Sequence, residues 1–360
     1  MRPLLCGYYG EHNIGDDLLL RALLAQLPRC SQPVVTARDQ LEVERQFGVS
    51  TCPRRPLQEV LQALSRCDAL VLGGGSLLQD STSFTSLLYY AALILAARAR
   101  RVPVLLWAQG LGPLRRRRSR TIVRWLLALV QGVTWRDQGS ARMAAAWGFQ
   151  APVGADPVWS LPATGGSASQ GGPIVVCWRD SELLDGPRWR RLLDALARLA
   201  ASTDGEVIWL PFHRDQDAGL LERLQQRGLV PPDLFRRSRE CPLSTPEECQ
   251  QLFASASLVL AMRLHGLILA ALSGAACVAL SYDPKVTAAA EGLACPLLEL
   301  ADLDAAGPAA VLADAWQAQL GRGIPAERLE PLKRATAVHA DLLARWLVAP
   351  SAQEASPKAT

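Results

Sequence analysis

A chain of 360 residues is long enough for two domains of ordinary size, and at 49% hydrophobic it can bury a core in each, which argues against disorder. The formal charge of +4 rests almost wholly on arginine, since lysine stands only at 285, 333 and 358, and no nucleic-acid motif or aromatic interleaving accompanies it, so no nucleic-acid partner is expected. Nine scattered cysteines without a CxxC pair read as reduced thiols rather than a zinc site or disulfide framework.

The start, residues 1–7, is too short in apolar character for a signal peptide, and the apolar run at 87–97 falls short of a membrane span. A cytoplasmic protein is expected, with weak peripheral contact to the inner face of the plasma membrane.

Residues 3–9 read as a strand that enters Gly10-Glu11-His12-Asn13-Ile14-Gly15-Asp16-Asp17, with an amphipathic helix from Leu18 onward. Glycines in such a turn let a ligand approach the backbone, and helix N–H groups face an anion. The spacing is not that of a dinucleotide fingerprint. Asp16 and Asp17 read either as helix caps or as a group that orients or deprotonates a substrate hydroxyl.

A second strand at 34–37, a helix at 57–66 and a third strand at 67–72 follow, the last running into Gly73-Gly74-Gly75-Ser76. Three residues without side chains at a strand end suit a tight turn, or clearance for a bound group. A helix at 87–99, a strand at 102–107, the loop Gln109-Gly110-Leu111-Gly112-Pro113, a helix at 121–130 and a strand at 132–135 lead to Arg136-Asp137. Arg136 reads as a surface couple with Asp137 or as a group reaching into a crevice. The run at 115–120, five arginines and a serine, reads as a solvated helix start or as a contact for an anionic surface.

The Gly/Ser-rich residues 162–173 read as a linker between a domain at 1–161 and one at 174–348, with a closing helix at 331–348 and a disordered tail at 349–360. In the second half residues 174–179 and 206–212 read as strands on either side of a helix at 189–202, and the apolar run 257–261 reads as a buried strand followed by a helix, so Arg263 and His265 stand where one gives way to the other. A further strand at 276–280 delivers Lys285. Each taken alone suits a surface cation or, for His265, an N-cap; together, at successive strand ends, they point to an anion site. The predicted class is α/β: two doubly wound, Rossmann-like domains facing a crevice.

The motifs Asn13-Ile14-Gly15-Asp16-Asp17, Gly73-Gly74-Gly75-Ser76-Leu77-Leu78-Gln79-Asp80, Gln109-Gly110-Leu111-Gly112-Pro113, Arg136-Asp137, Asp156-Pro157, Arg263-Leu264-His265 and Tyr282-Asp283-Pro284-Lys285 run in an order that resembles the polysaccharide pyruvyl transferase family, closest to its CsaB-type members. The resemblance implies a GT-B-like fold, phosphoenolpyruvate as donor substrate with no cofactor, and a pyruvate ketal formed on a sugar such as N-acetylmannosamine in a lipid-linked or polymeric glycan of the cell surface. It places Asp16, Arg136, Arg263, His265 and Lys285 on motif positions for donor binding and catalysis, with Asn13, Gly15, Gly74 and Gly75 in the binding motifs. The N-terminal domain is expected on the acceptor side and the C-terminal domain on the donor side.

The chemistry agrees with that assignment. Phosphoenolpyruvate is a small polyanion, which Arg136, Arg263 and Lys285 would hold, so truncating any of them is expected to weaken donor binding with the fold intact. A histidine that titrates near neutrality alternates between acid and base, the role expected of His265, with Asp16 as the hydroxyl-orienting base. No ligand cluster with metal spacing is visible, so no metal is expected. Two other readings stay open: a nucleotide-sugar glycosyltransferase of the same architecture, and a non-catalytic module for anionic glycans or membrane. Acceptor, ketal stereochemistry and oligomeric state are left open.

Overall fold

In a computed structural model, which describes residues 1–80, 83–163, 169 and 171–348, the apolar runs form two six-stranded parallel sheets. Most of the predicted linker's Gly/Ser stretch (164–168 and 170) and the predicted tail (349–360) lie outside the described residues. The first sheet holds β1 (Pro3–Tyr9), β2 (Val34–Ala37), β3 (Ser50–Pro53), β4 (Ala69–Leu72), β5 (Val104–Gln109) and β6 (Gly132–Trp135). Their spatial order is β3-β2-β1-β4-β5-β6. Between them run α1 (Ile14–Gln26), α2 (Gln40–Phe47), α3 (Leu57–Leu64), α4 (Phe84–Ala99), α5 (Arg117–Leu127) and α6 (Gln138–Ala145).

The second sheet repeats this order with β7 (Ile174–Cys177), β8 (Val207–Trp209), β9 (Ser238–Glu240), β10 (Leu258–Ala261), β11 (Cys277–Ser281) and β12 (Leu297–Glu299), arranged β12-β11-β10-β7-β8-β9. Its helices are α7 (Gly186–Thr203), α8 (Arg214–Asp217), α9 (Leu220–Gln226), α10 (Pro232–Arg237), α11 (Pro246–Ser255), α12 (Leu264–Leu272), α13 (Pro284–Leu293) and α14 (Ala309–Gln317), and the chain continues through α15 (Ala326–Ala335) into α16 (Ala337–Leu347). Both sheets are doubly wound, with chain order reversing at β1/β4 and at β7/β10, where such sheets bind ligands beyond the strands' carboxyl ends.

Helices cover both faces of each sheet, so β2, β4, β5, β7, β10 and β11 are buried at every position and read as continuous apolar runs. The strands absent from the sequence reading, β3, β9 and β12, lie at sheet edges, are three or four residues long and only partly buried. The predicted closing helix at 331–348 is two helices, α15 and α16, with Pro331 inside the first. A buried Trp178 anchors the second core, its ring 5.5–6.5 Å from those of Trp189, Trp209 and Trp316.

The chain divides into two compact units, one of Met1–Glu11, Leu19–Ser160 and Lys333 onward, the other of His12–Leu18 and Leu161–Leu332. From the sequence, one change of unit is expected, at 162–173, between two continuous domains. In the structure the first residues of α1 belong with the C-terminal sheet, and α16 belongs with the N-terminal one. All nine cysteines are free thiols, and seven of them are buried. Among the described residues no helix is long and apolar enough to cross a membrane.

Leu260→Ala, in the fully buried β10, should cost about 2–5 kcal/mol by loss of transfer energy and creation of a cavity. Leu41→Ala, at a side chain 80% exposed, should stay within about 0.5 kcal/mol. Comparing the thermal midpoints of both variants with the parent protein tests this partition.

Candidate active site

The C-terminal unit assembles its site at the carboxyl ends of β8, β10 and β11, with the segment His12–Leu18 sewn onto the β8 exit. Ile14 N–H donates to the Phe212 carbonyl (3.0 Å), Arg214 N–H donates to the His12 carbonyl (3.0 Å), and Asn13 bridges His213 in antiparallel fashion. Asn13 organises the α1 start: its carbonyl accepts the amides of Asp16 and Asp17, its Oδ1 accepts Gly15 N–H (3.1 Å), and its Nδ2 donates to Asp16 Oδ2 at 2.5 Å. Asp16 is half-buried with its carboxylate held in place, whereas Asp17 is only 7% exposed.

His265 follows β10 as the second residue of α12 and is half-buried. The N-cap of α12 is Arg263, so the cap role considered for His265 gives way to a position inside the first turn. Gly15 lies against this imidazole: a Cβ there would collide with His265 Nδ1. The α1 segment and the α12 start therefore meet at a position where only glycine fits.

Arg263 does not present a bare guanidinium. Its Nε donates to Asp217 Oδ2 (3.0 Å), and Nη2 donates to Asp217 Oδ1 and to Gln216 Oε1 (3.1 Å). The Asp217 side chain is fully buried and also accepts the His213 N–H at 2.9 Å. This forked pair ties the β8 exit to the β10 exit, so truncating Arg263 would strand a buried carboxylate, and the expectation of an intact fold is corrected. Half-burial, and then the Arg263 charge, hold the His213 imidazole below its ordinary pKa. Lys285 lies in the first turn of α13, half-buried, its N–H donating to the N-cap Asp283 at 2.9 Å.

The other predicted residues, Arg136, Gly74 and Gly75, lie in the N-terminal unit at the carboxyl ends of β6 and β4. Arg136 is 7% exposed and no surface couple: it donates to Asp156 (3.4 Å), itself 7% exposed, and to Ser76 Oγ (3.3 Å), while Asp137 stands at 3.9 Å. Gly110 makes room for it, since a Cβ there would sit 2.7 Å from the guanidinium and 2.5 Å from Ser76 Oγ. The space above Gly73 and Gly74 is filled by this chain's own Tyr9, Leu19, Trp107 and Pro157, which replaces clearance for a bound group with packing. Gly75 has a positive φ, and its carbonyl accepts Gly110 N–H at 2.7 Å.

His339 was invisible to sequence reasoning, because the last sixty residues carry no motif. It projects from α16 with no exposed surface and reaches Thr134 Oγ1 through Nδ1 (2.8 Å) and the Ala155 carbonyl through Nε2 (2.9 Å). The Ala155 carbonyl can only accept, so the neutral imidazole carries its proton on Nε2 and its Nδ1 accepts the Thr134 hydroxyl, whose Oγ1 in turn accepts Ala108 N–H (3.0 Å). Ala108 has a positive φ within a strand whose register slips there, and Ala155 precedes the aspartate that holds Arg136. One buried imidazole thus pins the loops around Arg136. Among the described residues no group of three or more His, Cys, Asp or Glu is placed to hold a metal ion.

Residues 13–284 match the family described as polysaccharide pyruvyl transferase. No curated protein sequence matches the chain. Among solved structures, the chain is similar to a UDP-GlcNAc 2-epimerase from Methanocaldococcus jannaschii (12% identity, 96% and 99% of the two chains covered, TM-score 0.63). It is also similar to Anabaena HepE in complex with UDP and glucose (15%, 96% and 99%, 0.61) and to a putative UDP-N-acetylglucosamine 2-epimerase from Listeria monocytogenes (12%, 94% and 94%, 0.60). At these identities the likeness establishes the fold, the two Rossmann-like domains of GT-B-like proteins.

Asp156→Ala should destabilise the protein by about 3–5 kcal/mol by leaving Arg136 buried without its carboxylate, and adding Arg136→Met should recover part of that loss. Chemical denaturation of the single and double variants measures it. A second outcome concerns pH. Burial holds His339 below the ordinary histidine pKa, so it is neutral in the fold at pH 7, as is His213. The unfolded chain takes up protons on both below about pH 6.5, so stability should fall between pH 7 and pH 5. The thermal midpoint of His339→Leu should start lower at pH 7 and depend less on pH than the parent's.

Proposed function

Because the chain belongs to the polysaccharide pyruvyl transferase family, we propose that it transfers the pyruvyl group of phosphoenolpyruvate to two hydroxyls of a sugar, forming a ketal and releasing phosphate. The acceptor in this reading is N-acetylmannosamine, or a sugar like it, in a lipid-linked cell-surface polysaccharide precursor, as for CsaB-type members. The observation that carries the reading is the meeting of the Asn13–Asp16 turn with His265 and Arg263 on the one unit that also supplies Lys285.

The donor's anionic groups face Lys285 and the start of α12, whose N-cap side chain makes no capping hydrogen bond and whose first amides favour an anion. Arg263 acts through Asp217, holding the β8 and β10 exits in register. His265 gives a proton to the methylene carbon of the enol. One sugar hydroxyl adds at the adjacent carbon, with Asp16, oriented by Asn13, accepting its proton. Phosphate departs as the second hydroxyl closes the ring. Of the two hydroxyl protons, one replaces that given to the methyl group and the other leaves with phosphate. Arg136, paired with Asp156 and bonded to Ser76, shapes the strand ends of the N-terminal unit, on the acceptor side.

Incubating the protein with phosphoenolpyruvate and a panel of tagged or lipid-linked sugars should release phosphate and yield a product heavier by a pyruvyl ketal. Turnover of a UDP-sugar with no phosphoenolpyruvate dependence would replace this reading by the glycosyltransferase one, which the UDP seen in Anabaena HepE brings to mind. His265→Gln should lower turnover by about a hundred- to ten-thousandfold with the thermal midpoint nearly kept. Lys285→Ala should instead raise the apparent Michaelis constant for phosphoenolpyruvate, by about ten- to a hundredfold. Steady-state kinetics on folded variants separates the two roles.

A further inference from the structure

Between Asp80 and Asp137 the sequence contains ten arginines and not one Asp or Glu. This acid-free stretch builds α4 and α5, which pack side by side in the N-terminal unit: the guanidiniums of Arg116 and Arg118 stack over Phe84 at 5.4 and 4.3 Å. Of the seven large apolar side chains exposed among the described residues, three lie on these two helices: Leu88 (45%), Leu95 (41%) and Trp125 (53%). Leu88 and Leu95 are seven residues apart, as are Arg118 and Trp125, so each pair occupies one side of its helix, about 10 Å apart. Phe84 lies one turn before Leu88 on the same side, and Arg118 stacks on its ring, so the two sides meet at the starts of the helices. Arg117, Arg120 and Arg124 are exposed on α5, and Arg98 and Arg100 stand at the end of α4.

We propose that the α4–α5 face docks the protein on a bilayer of anionic phospholipids, with Leu88, Leu95 and Trp125 entering the headgroup boundary and the arginines pairing with lipid phosphates. Charge selects an anionic partner, since no carboxylate from either helix offsets the arginines. The apolar stripe selects a bilayer among anionic partners: a nucleic acid or a soluble polyanion has phosphates but no hydrocarbon to receive exposed leucines and a tryptophan. Tryptophan at such a boundary suits the amphipathic character of its ring. The proposal deepens the lipid-linked acceptor of the preceding section and rests on that reading for its purpose only. The face itself is distinct from the residues assigned to chemistry.

The test is co-sedimentation of the full-length protein with vesicles of pure phosphatidylcholine or of phosphatidylcholine mixed with phosphatidylglycerol. Binding should occur with the mixed vesicles, weaken as salt rises, and be near absent with the neutral ones. Replacing Arg117, Arg118, Arg120 and Arg124 by Gln should weaken it at least about tenfold, each arginine near the surface counting for roughly fivefold. The variant Leu88→Ser/Leu95→Ser/Trp125→Ser keeps every charge and should also lose binding, while its phosphate release with a water-soluble acceptor stays at the parent level. Failure of the chemistry leaves the vesicle result standing, so the two proposals fail separately. Unchanged vesicle binding in the serine variant, or binding to an RNA homopolymer that survives in that variant and outcompetes the vesicles, would overturn the bilayer in favour of a polyanion. Absence of binding to the mixed vesicles would overturn the proposal outright.

Discussion

The forked pair of Arg263 with Asp217 is the interaction on which the C-terminal site depends. Asp217 has no exposed side-chain surface, so its charge is tolerable only because a guanidinium and the His213 amide satisfy it. The pair joins the exit of β8 to the exit of β10, next to the point where strand order reverses. Segment His12–Leu18 is hydrogen-bonded to that same β8 exit, and through it Asn13, Gly15 and Asp16 come to stand with His265. Loosening the pair would free two loops at once, so a residue that reads in sequence as a donor ligand serves first as a fastener.

The N-terminal unit solves the same problem with different parts. Arg136 is buried against Asp156, and the loop that carries Asp156 is held from behind by His339, a neutral imidazole wedged between Thr134 and the Ala155 carbonyl. Both units thus place a cation at a strand's carboxyl end by burying its counter-charge. Fixed donors of this kind need no reorganisation when an anion or a developing charge arrives, which is how preorganised sites favour a transition state. Lys285, whose backbone amide donates to Asp283, adds a compact charge in the first turn of α13.

By itself the sequence determined the α/β class, the central strands and the concentration of unusual residues at strand ends. Parallel strands covered on both faces must be apolar throughout, and runs such as Leu258–Ala261 carry that requirement openly. It also carried the family, because motif residues keep their order along the chain whatever the fold does with them. Edge strands β3, β9 and β12 were illegible, since a short strand with one free edge and little burial needs no apolar pattern.

Only the tertiary structure decided which charges are spoken for and which segment joins which unit. No spacing in the chain announces that Arg263 pairs with Asp217, 46 residues earlier, or that His339 reaches Thr134 across 205 residues. Nor does it announce that the first turn of α1 belongs with the C-terminal sheet. Local sequence constrains local geometry through propensity and periodicity, whereas partners distant in the chain are chosen by packing, where a buried charge must find its counter-charge wherever the fold has brought one.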